Sequence, residues 1–293
     1  MINRAPIVIL AKHAIDDAQA IALEQAVTER FRDAGFKVVV VPHLYHVPEP
    51  SPLWKRLENQ AAGPMVLLSW LHPRPAEWLL RRHDLCTDRL IAFNLKTFVT
   101  AEACFAAVQR ALADADIAFG APTPGQVVSL DEPTSQRWYP VVDGSRCVNC
   151  QHCLQFCLFG VYALNEAGAV RVQNPDQCKP GCPACSRICP HGAIVFPLYE
   201  RDEAIAGAPG RFMTPDLAAR RMFYSRTRRP CPRCGNIVQP GQASVSTESG
   251  EICPECGSRC TPSAPAANPA SPVFDDLDVL VDQLDQVMQR RRK

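Results

Sequence analysis

Eight cysteines fall within the 43 residues from Cys147 to Cys189, in two runs reading CVNCQHCLQFC and CKPGCPACSRICP. Their spacings are Cys147-x2-Cys150-x2-Cys153-x3-Cys157 and Cys178-x3-Cys182-x2-Cys185-x3-Cys189-Pro190. Three thiolates at i, i+3 and i+6 on one tight loop can hold three corners of an iron–sulfur cube, while the fourth cysteine of each run is carried away by the start of a helix. Two other uses of thiols compete. Zinc sites favour two separated CxxC pairs over triplets, and disulfides are not expected in a chain whose opening, MINRAPIVILAKHAIDD, lacks the apolar length and flanks of a secretory signal.

The block resembles the bacterial two-cluster ferredoxin over roughly residues 140–200. That resemblance implies one 4Fe–4S cluster held by Cys147, Cys150, Cys153 and Cys189, and a second held by Cys157, Cys178, Cys182 and Cys185, because the fourth cysteine of each run ligates the other cluster. A pseudo-repeat extends it: Gly160 and Gly192 each stand three residues after a crossing cysteine, and each half then enters a short apolar strand. Residues 161–164 and 169–172 flank Asn165-Glu166-Ala167-Gly168, a hairpin with glycine available for positive φ. Two departures stand out. Leu158 occupies the place of the usual proline, and the second run opens with a three-residue gap, Lys179-Pro180-Gly181, which makes Cys178 the ligand most exposed to question.

At 293 residues the chain is long enough for two or more domains. Its formal charge of +1 gives no argument for nucleic acid. No run of apolar residues is long enough to span a membrane. The metal-type spacing of many of the 15 cysteines places the protein in the reducing cytoplasm. Cys86, Cys104 and Cys260 fall outside the paired motifs, the first two reading as small buried hydrophobes.

Residues 1–120 alternate apolar runs (6–11, 36–41, 65–70 and 89–93) with amphipathic stretches of helical period (16–34, 53–60, 75–83 and 101–115). Such alternation predicts an α/β domain, a parallel sheet in flavodoxin-like or Rossmann-like layers. Only Gly35 and Gly63 occur before residue 120, so no glycine-rich phosphate cradle can be drawn. Histidines mark the strand ends instead: His13 after the first strand, His43 and His46 after the second, His72 after the third. Open α/β sheets bind ligands at that edge. His13 and His72 are the candidate catalytic residues, as acid and base or as metal ligands. The stretch VILAKHAIDDAQAIALEQAVTERF faintly resembles the opening of sirohydrochlorin-type chelatases, which implies metal handling by His13, although the family's His-Gly-Ser is here His13-Ala14-Ile15.

A connection over 121–140 leads into the ferredoxin-like domain, 141–200, followed by a loop and basic helix, 201–229, that carries Arg220, Arg221, Arg226, Arg228 and Arg229. Residues 230–260 read as a zinc ribbon, with CPRCG and CPECG knuckles presenting Cys231, Cys234, Cys253 and Cys256 to one tetrahedral ion, mononuclear iron being the alternative metal. A Pro/Ala linker, 261–273, delivers an amphipathic helix, 274–293, which docks on this chain or on a partner. The leading functional reading is electron transfer through two clusters, with the flanking domains docking redox partners. The second is a reductive or tetrapyrrole-related enzyme using the histidine edge. An edge facing the cysteine block near Cys147 would favour the enzyme; a distant, exposed edge would favour a docking scaffold. The third is a regulatory protein that meets nucleic acid through residues 220–229.

Overall fold

The computed structural model describes residues 6–60, 63–85, 87–118 and 123–213. The chain divides into two compact units, Met1–Tyr224 and Ser225–Lys293, and every described residue lies in the first. Cys86, the basic helix with Arg220 to Arg229, the ribbon cysteines Cys231, Cys234, Cys253 and Cys256, Cys260, the Pro/Ala linker and the last helix lie outside the described residues.

The expected parallel sheet is present. Strands β1 (Ile7–Ala11), β2 (Lys37–Val41), β3 (Met65–Ser69) and β4 (Leu90–Asn94) alternate with helices α1 (Ala18–Asp33), α2 (Leu53–Gln60), α3 (Pro73–Arg82) and α4 (Ala101–Asp114). A fifth strand, β5 (Val127–Ser129), completes the sheet in the order β4-β3-β1-β2-β5, with all pairs parallel. The steps β1 to β2 and β4 to β5 run one way across the sheet, and β2 to β3 to β4 run the other. Right-handed crossovers therefore place α1 and α4 on one face and α2 and α3 on the opposite one. The side chains follow: Val8, Leu10, Val38, Val66 and Leu68 pack with Val27, Phe31, Phe105 and Val108, whereas Ile7, Ile9, Val39 and Leu67 pack with Leu53, Leu57, Leu79 and Leu80. Cys104 is a core residue of the first of these faces, and burial pushes its thiol up to about 12.

Strand β5 lies inside the stretch read from sequence as a connection, and it sits beside β2 where a flavodoxin-like order would place it beside β4. Its three residues are too few to show a period. Gly125 makes the approach possible: its N–H donates to the Arg32 carbonyl at 2.7 Å, and a Cβ there would stand 1.9 Å from the carbonyl oxygen of Phe36.

The remainder is a small α+β body. Strand β6 (Val141–Val142) pairs antiparallel with β9 (Ile194–Val195), and β7 (Tyr162–Leu164) with β8 (Val170–Val172). Between them run the short helices α5 (His152–Phe156) and α6 (Ala184–Ile188), followed by the single turn α7 (Glu203–Ala206), which the sequence reading had as loop. Gly168 has φ of +73°, as expected of the hairpin, and Gly160 and Gly192, the paired glycines of the pseudo-repeat, share the left-handed region at +67° and +56°.

Three arginines fasten this body to the α/β layer. Arg74 on α3 donates to Asp143 Oδ2 at 2.6 Å and to the Gly192 carbonyl at 2.5 Å. Arg82, also on α3, reaches the Val172 carbonyl at 3.0 Å while gripping Glu49 at 3.0 and 2.7 Å. Arg137 pairs with Asp176 at 2.7 and 3.1 Å and donates to the Val47 carbonyl at 2.5 Å. Tyr45 stacks on Tyr139 at 4.2 Å, donating its hydroxyl proton to the Tyr139 carbonyl and accepting the Tyr139 N–H.

Candidate functional site

All described cysteines are free thiols. Cys147, Cys150, Cys153 and Cys189 line one small cavity together with Val142, Ile194 and other side chains. The first three come from one loop, and Cys189 arrives from the end of α6 because β6 and β9 pair and bring the two halves together. The loop is held open by local geometry. Asn149 and Gln151, flanking Cys150, take φ of +57° and +60°. Asn149 also ties the loop to the hairpin, donating to the Gly168 carbonyl and accepting the Val170 N–H, both at 2.7 Å. Alternation of ordinary and left-handed residues is the backbone form of anion-cradling nests, including those at iron–sulfur sites. The Ala193 N–H donates to Cys189 Sγ at 3.3 Å.

The second set is closer to the interior. Cys185 is buried, whereas Cys157, Cys178 and Cys182 are half-buried. Burial pushes the Cys178 thiol up to about 12, with Cys182 and Cys157 adding to the rise. Burial likewise drives Cys185 well above the thiol range, with Cys178, Cys153 and Cys157 acting in the same direction. In the first set burial raises Cys153 to about 12, reinforced by Cys189, Cys147 and Cys150. Thiols that share an apolar pocket and oppose one another's ionisation are poor bare anions. Coordination to a cationic iron centre removes that penalty, because a coordinating thiol is deprotonated outright. The donor sets therefore fit iron–sulfur clusters. Among the described residues no three His, Cys, Asp or Glu converge on a single ion, a result compatible with a cube, whose cysteines each bind a different iron.

The extra residue in the second run has a structural place. Gly181 takes φ of +75° with open space around its Cα, and Cys182 N donates to the Lys179 carbonyl, closing a turn. Leu158, in the place of the usual proline, is 92% exposed.

The histidine edge faces this body. A cleft of about 1220 Å³ opens at the carboxyl ends of the strands, with His13, His43, His46 and His72 on one wall. Trp138, Pro180, Gly181 and Tyr199 line the same cleft, so the edge meets the lengthened gap of the second run and not Cys147. The His13 ring lies edge-on to Trp70 at 4.8 Å, and Glu24 accepts both the His13 backbone N–H, at 2.6 Å, and the Trp70 indole N–H, at 2.8 Å. The rings of His43 and His46 are 4.6 Å apart. Burial lowers His43 to about 3, helped by His46, His13 and Lys96. Burial and Arg137 lower His46, and burial and Lys96 lower His72. A candidate acid and base pair, His13 and His72, thus shares the cleft, with the Asn94 amide 3.4 Å from the His72 ring. Sequence reasoning missed Lys96, Trp70 and Trp138. Their signal was position alone, one or two residues past a strand or just before the cysteine block.

Two proteins of Methanocaldococcus jannaschii are similar to parts of this chain. An uncharacterized ferredoxin is 48% identical over 61 residues, 20% of this chain and 41% of that protein. The pyruvate synthase subunit PorD is 34% identical over 71 residues, 24% of this chain and 80% of that subunit. The chain thus spans about two fifths of the length of the first relative. No family model matches the chain, and no solved structure matches it.

Proposed function

Since this chain belongs to the ferredoxin family, through a segment it shares with a ferredoxin and with pyruvate synthase subunit PorD, we propose that it is an electron-transfer protein carrying two 4Fe–4S clusters. Cys147, Cys150, Cys153 and Cys189 hold the first, and Cys157, Cys178, Cys182 and Cys185 hold the second. The observation that carries this reading is the crossing: Cys189, from the second run, lines the same cavity as the triplet of the first. A bound cluster of this type takes up and gives back one electron at a time.

The chain's own residues set the conditions. Cys185 and Tyr162 are buried together and keep water from the second set, while Cys150 is exposed and opens the first set to the surface. The N–H of Ala193 on Cys189 sulfur stabilises the more negative, reduced form. Val148, 60% exposed, and Leu158 offer apolar surface on the two cysteine loops to a redox protein partner. Among the described residues no helix is long and apolar enough to cross a membrane. A zinc site closed by Cys231, Cys234, Cys253 and Cys256, and residence in the cytoplasm, complete the proposal on sequence spacing and cysteine usage.

Anaerobically reconstituted protein should bleach in the visible on addition of dithionite and recover on mixing with a one-electron protein acceptor such as cytochrome c. Protein that binds iron and sulfide yet neither bleaches nor passes electrons contradicts the reading.

A further inference from the structure

The histidine cleft is built as a ligand site that electron transfer does not use. Every strand of the sheet sends its carboxyl end there: His13 after β1, His43 and His46 after β2, His72 after β3, Lys96 after β4 and Asp131 after β5. The sheet reverses direction between β1 and β3, and their ends flank the crevice in which open α/β sheets bind ligands. Its volume, about 1220 Å³, exceeds what an inorganic ion needs and suits an organic molecule.

Two side chains in its wall lack partners. His43 and His46 are 4% and 6% exposed, and His43 Nδ1 and His46 Nε2 have no hydrogen-bond partner among the described residues. A buried polar atom left unpaired is costly, and at a binding site the ligand supplies the missing partner. The charges lining the cleft are mostly matched: Lys12 with Asp131 at 3.7 Å, Glu132 with Arg56 at 3.9 Å, Glu203 with Arg211 at 3.7 Å and Arg137 with Asp176 at 2.7 Å. Asp16 and Glu200 remain as carboxylates of the lining. Lys96 is exposed, acts on both His43 and His72, and forms no ion pair among the described residues. It is a cation without a counter-ion, set among imidazoles of which the most deeply buried, His43, is neutral. Trp70 and Trp138 supply flat apolar surface to the lining, and Trp138 is itself stacked on Phe196 at 5.2 Å, which holds its ring in place.

We propose that this cleft binds a planar, anionic organic molecule, its negative group on Lys96, its polar atoms on His43 and His46, and its ring against the tryptophans of the lining, Trp70 and Trp138. The site stands on the α/β edge and Trp138, so binding does not require the clusters to be redox-active.

The test uses the full chain with its metal centres in place and three probes: 8-anilinonaphthalene-1-sulfonate, its uncharged analogue N-phenyl-1-naphthylamine, and inorganic phosphate. The sulfonate should bind at one equivalent and quench tryptophan fluorescence. Lys96→Gln should weaken it about tenfold, and Trp138→Leu should weaken it comparably. The uncharged analogue should bind about tenfold more weakly than the sulfonate and be indifferent to Lys96→Gln. Phosphate should not displace the sulfonate. Equal binding by the uncharged analogue, wild-type binding by Lys96→Gln, or displacement by phosphate alone would overturn the proposal. Iron content and visible absorbance of each variant report separately on the clusters, so loss of electron transfer with intact probe binding leaves this site standing.

Discussion

Trp138 donates its indole N–H to the carbonyl of Cys182 at 3.1 Å, and its ring forms part of the wall of the histidine cleft. One side chain therefore connects the second cysteine set to the carboxyl edge of the sheet. Trp138→Phe keeps the stacking on Phe196 but removes the donor. About half of the iron in this variant should be released to a chelator several-fold faster than in the wild type, the other half at the wild-type rate. Uniform acceleration of all the iron would show that the bond supports the whole body.

Cys178 and Cys104 make an opposed pair of substitutions. Cys178→Ala should lower iron from about eight to about four atoms per chain and remove one of two reduced-cluster signals in paramagnetic resonance. Cys104→Ser leaves iron unchanged but places a hydroxyl in the α1/α4 core, where the thiol is fully buried, costing about 1–3 kcal/mol in denaturant unfolding. Full iron in Cys178→Ala would remove Cys178 from the ligand set.

The Arg74–Asp143 pair is buried at its Asp143 end and half-buried at its Arg74 end, with side chains 5% and 14% exposed. Asp143 also holds the start of the first cysteine loop: Oδ1 accepts the Ser145 N–H at 3.0 Å and the backbone carbonyl accepts the Cys147 N–H at 3.0 Å. Breaking a buried pair strands the remaining charge, so Arg74→Met should cost about 3 kcal/mol in denaturant unfolding. Asp143→Asn, which keeps the shape but not the charge, should cost less and retain the first cluster.

Glu49 gives a pH dependence. Burial alone would raise its carboxyl, but the His83 ring, with Nε2 3.4 Å away, and the Arg82 guanidinium, hydrogen-bonded to it, outweigh this and hold it at about 2, against an ordinary 4.5. A depressed folded value means that the stabilisation is complete above the unfolded value and is lost as pH falls from about 4.5 towards 2. The stability gap between wild type and Glu49→Gln should be about 2 kcal/mol at pH 7 and shrink steadily through that window. Cluster loss in acid affects both proteins, so the difference isolates the carboxyl. A gap that does not change with pH would remove the ionic role of Glu49.

Much of this molecule is legible in its sequence because the signals are local. Runs such as IVILA and KVVVV, buried on both faces, specify parallel strands wherever they sit, and the four strands and four long helices of the α/β layer fall within two residues of the expected bounds. Gly168, in a turn between two short apolar runs, marks its positive φ from the local sequence. What was hidden depends on distant pairing. Three residues of β5 acquire strand character only beside β2, and Arg74, Arg82 and Arg137 read as surface charges until Asp143, Glu49 and Asp176 arrive from far along the chain. The cleft was half legible: the histidines stood at strand ends and Lys96 follows β4 in the same way, but Trp138 joins them only because the ferredoxin-like body docks on α3. Likewise, the edge faces the gap of the second run because that docking, not the order of the cysteines, sets which loop comes near.

The two-cluster assignment at Cys147 to Cys189 is tested most directly by iron and acid-labile sulfide analysis of anaerobically purified protein, with paramagnetic resonance after dithionite reduction. About eight iron and eight sulfide per chain, with the interacting signals of two reduced clusters, is the expected result. A content of about four iron or fewer, with a single isolated signal, would contradict it.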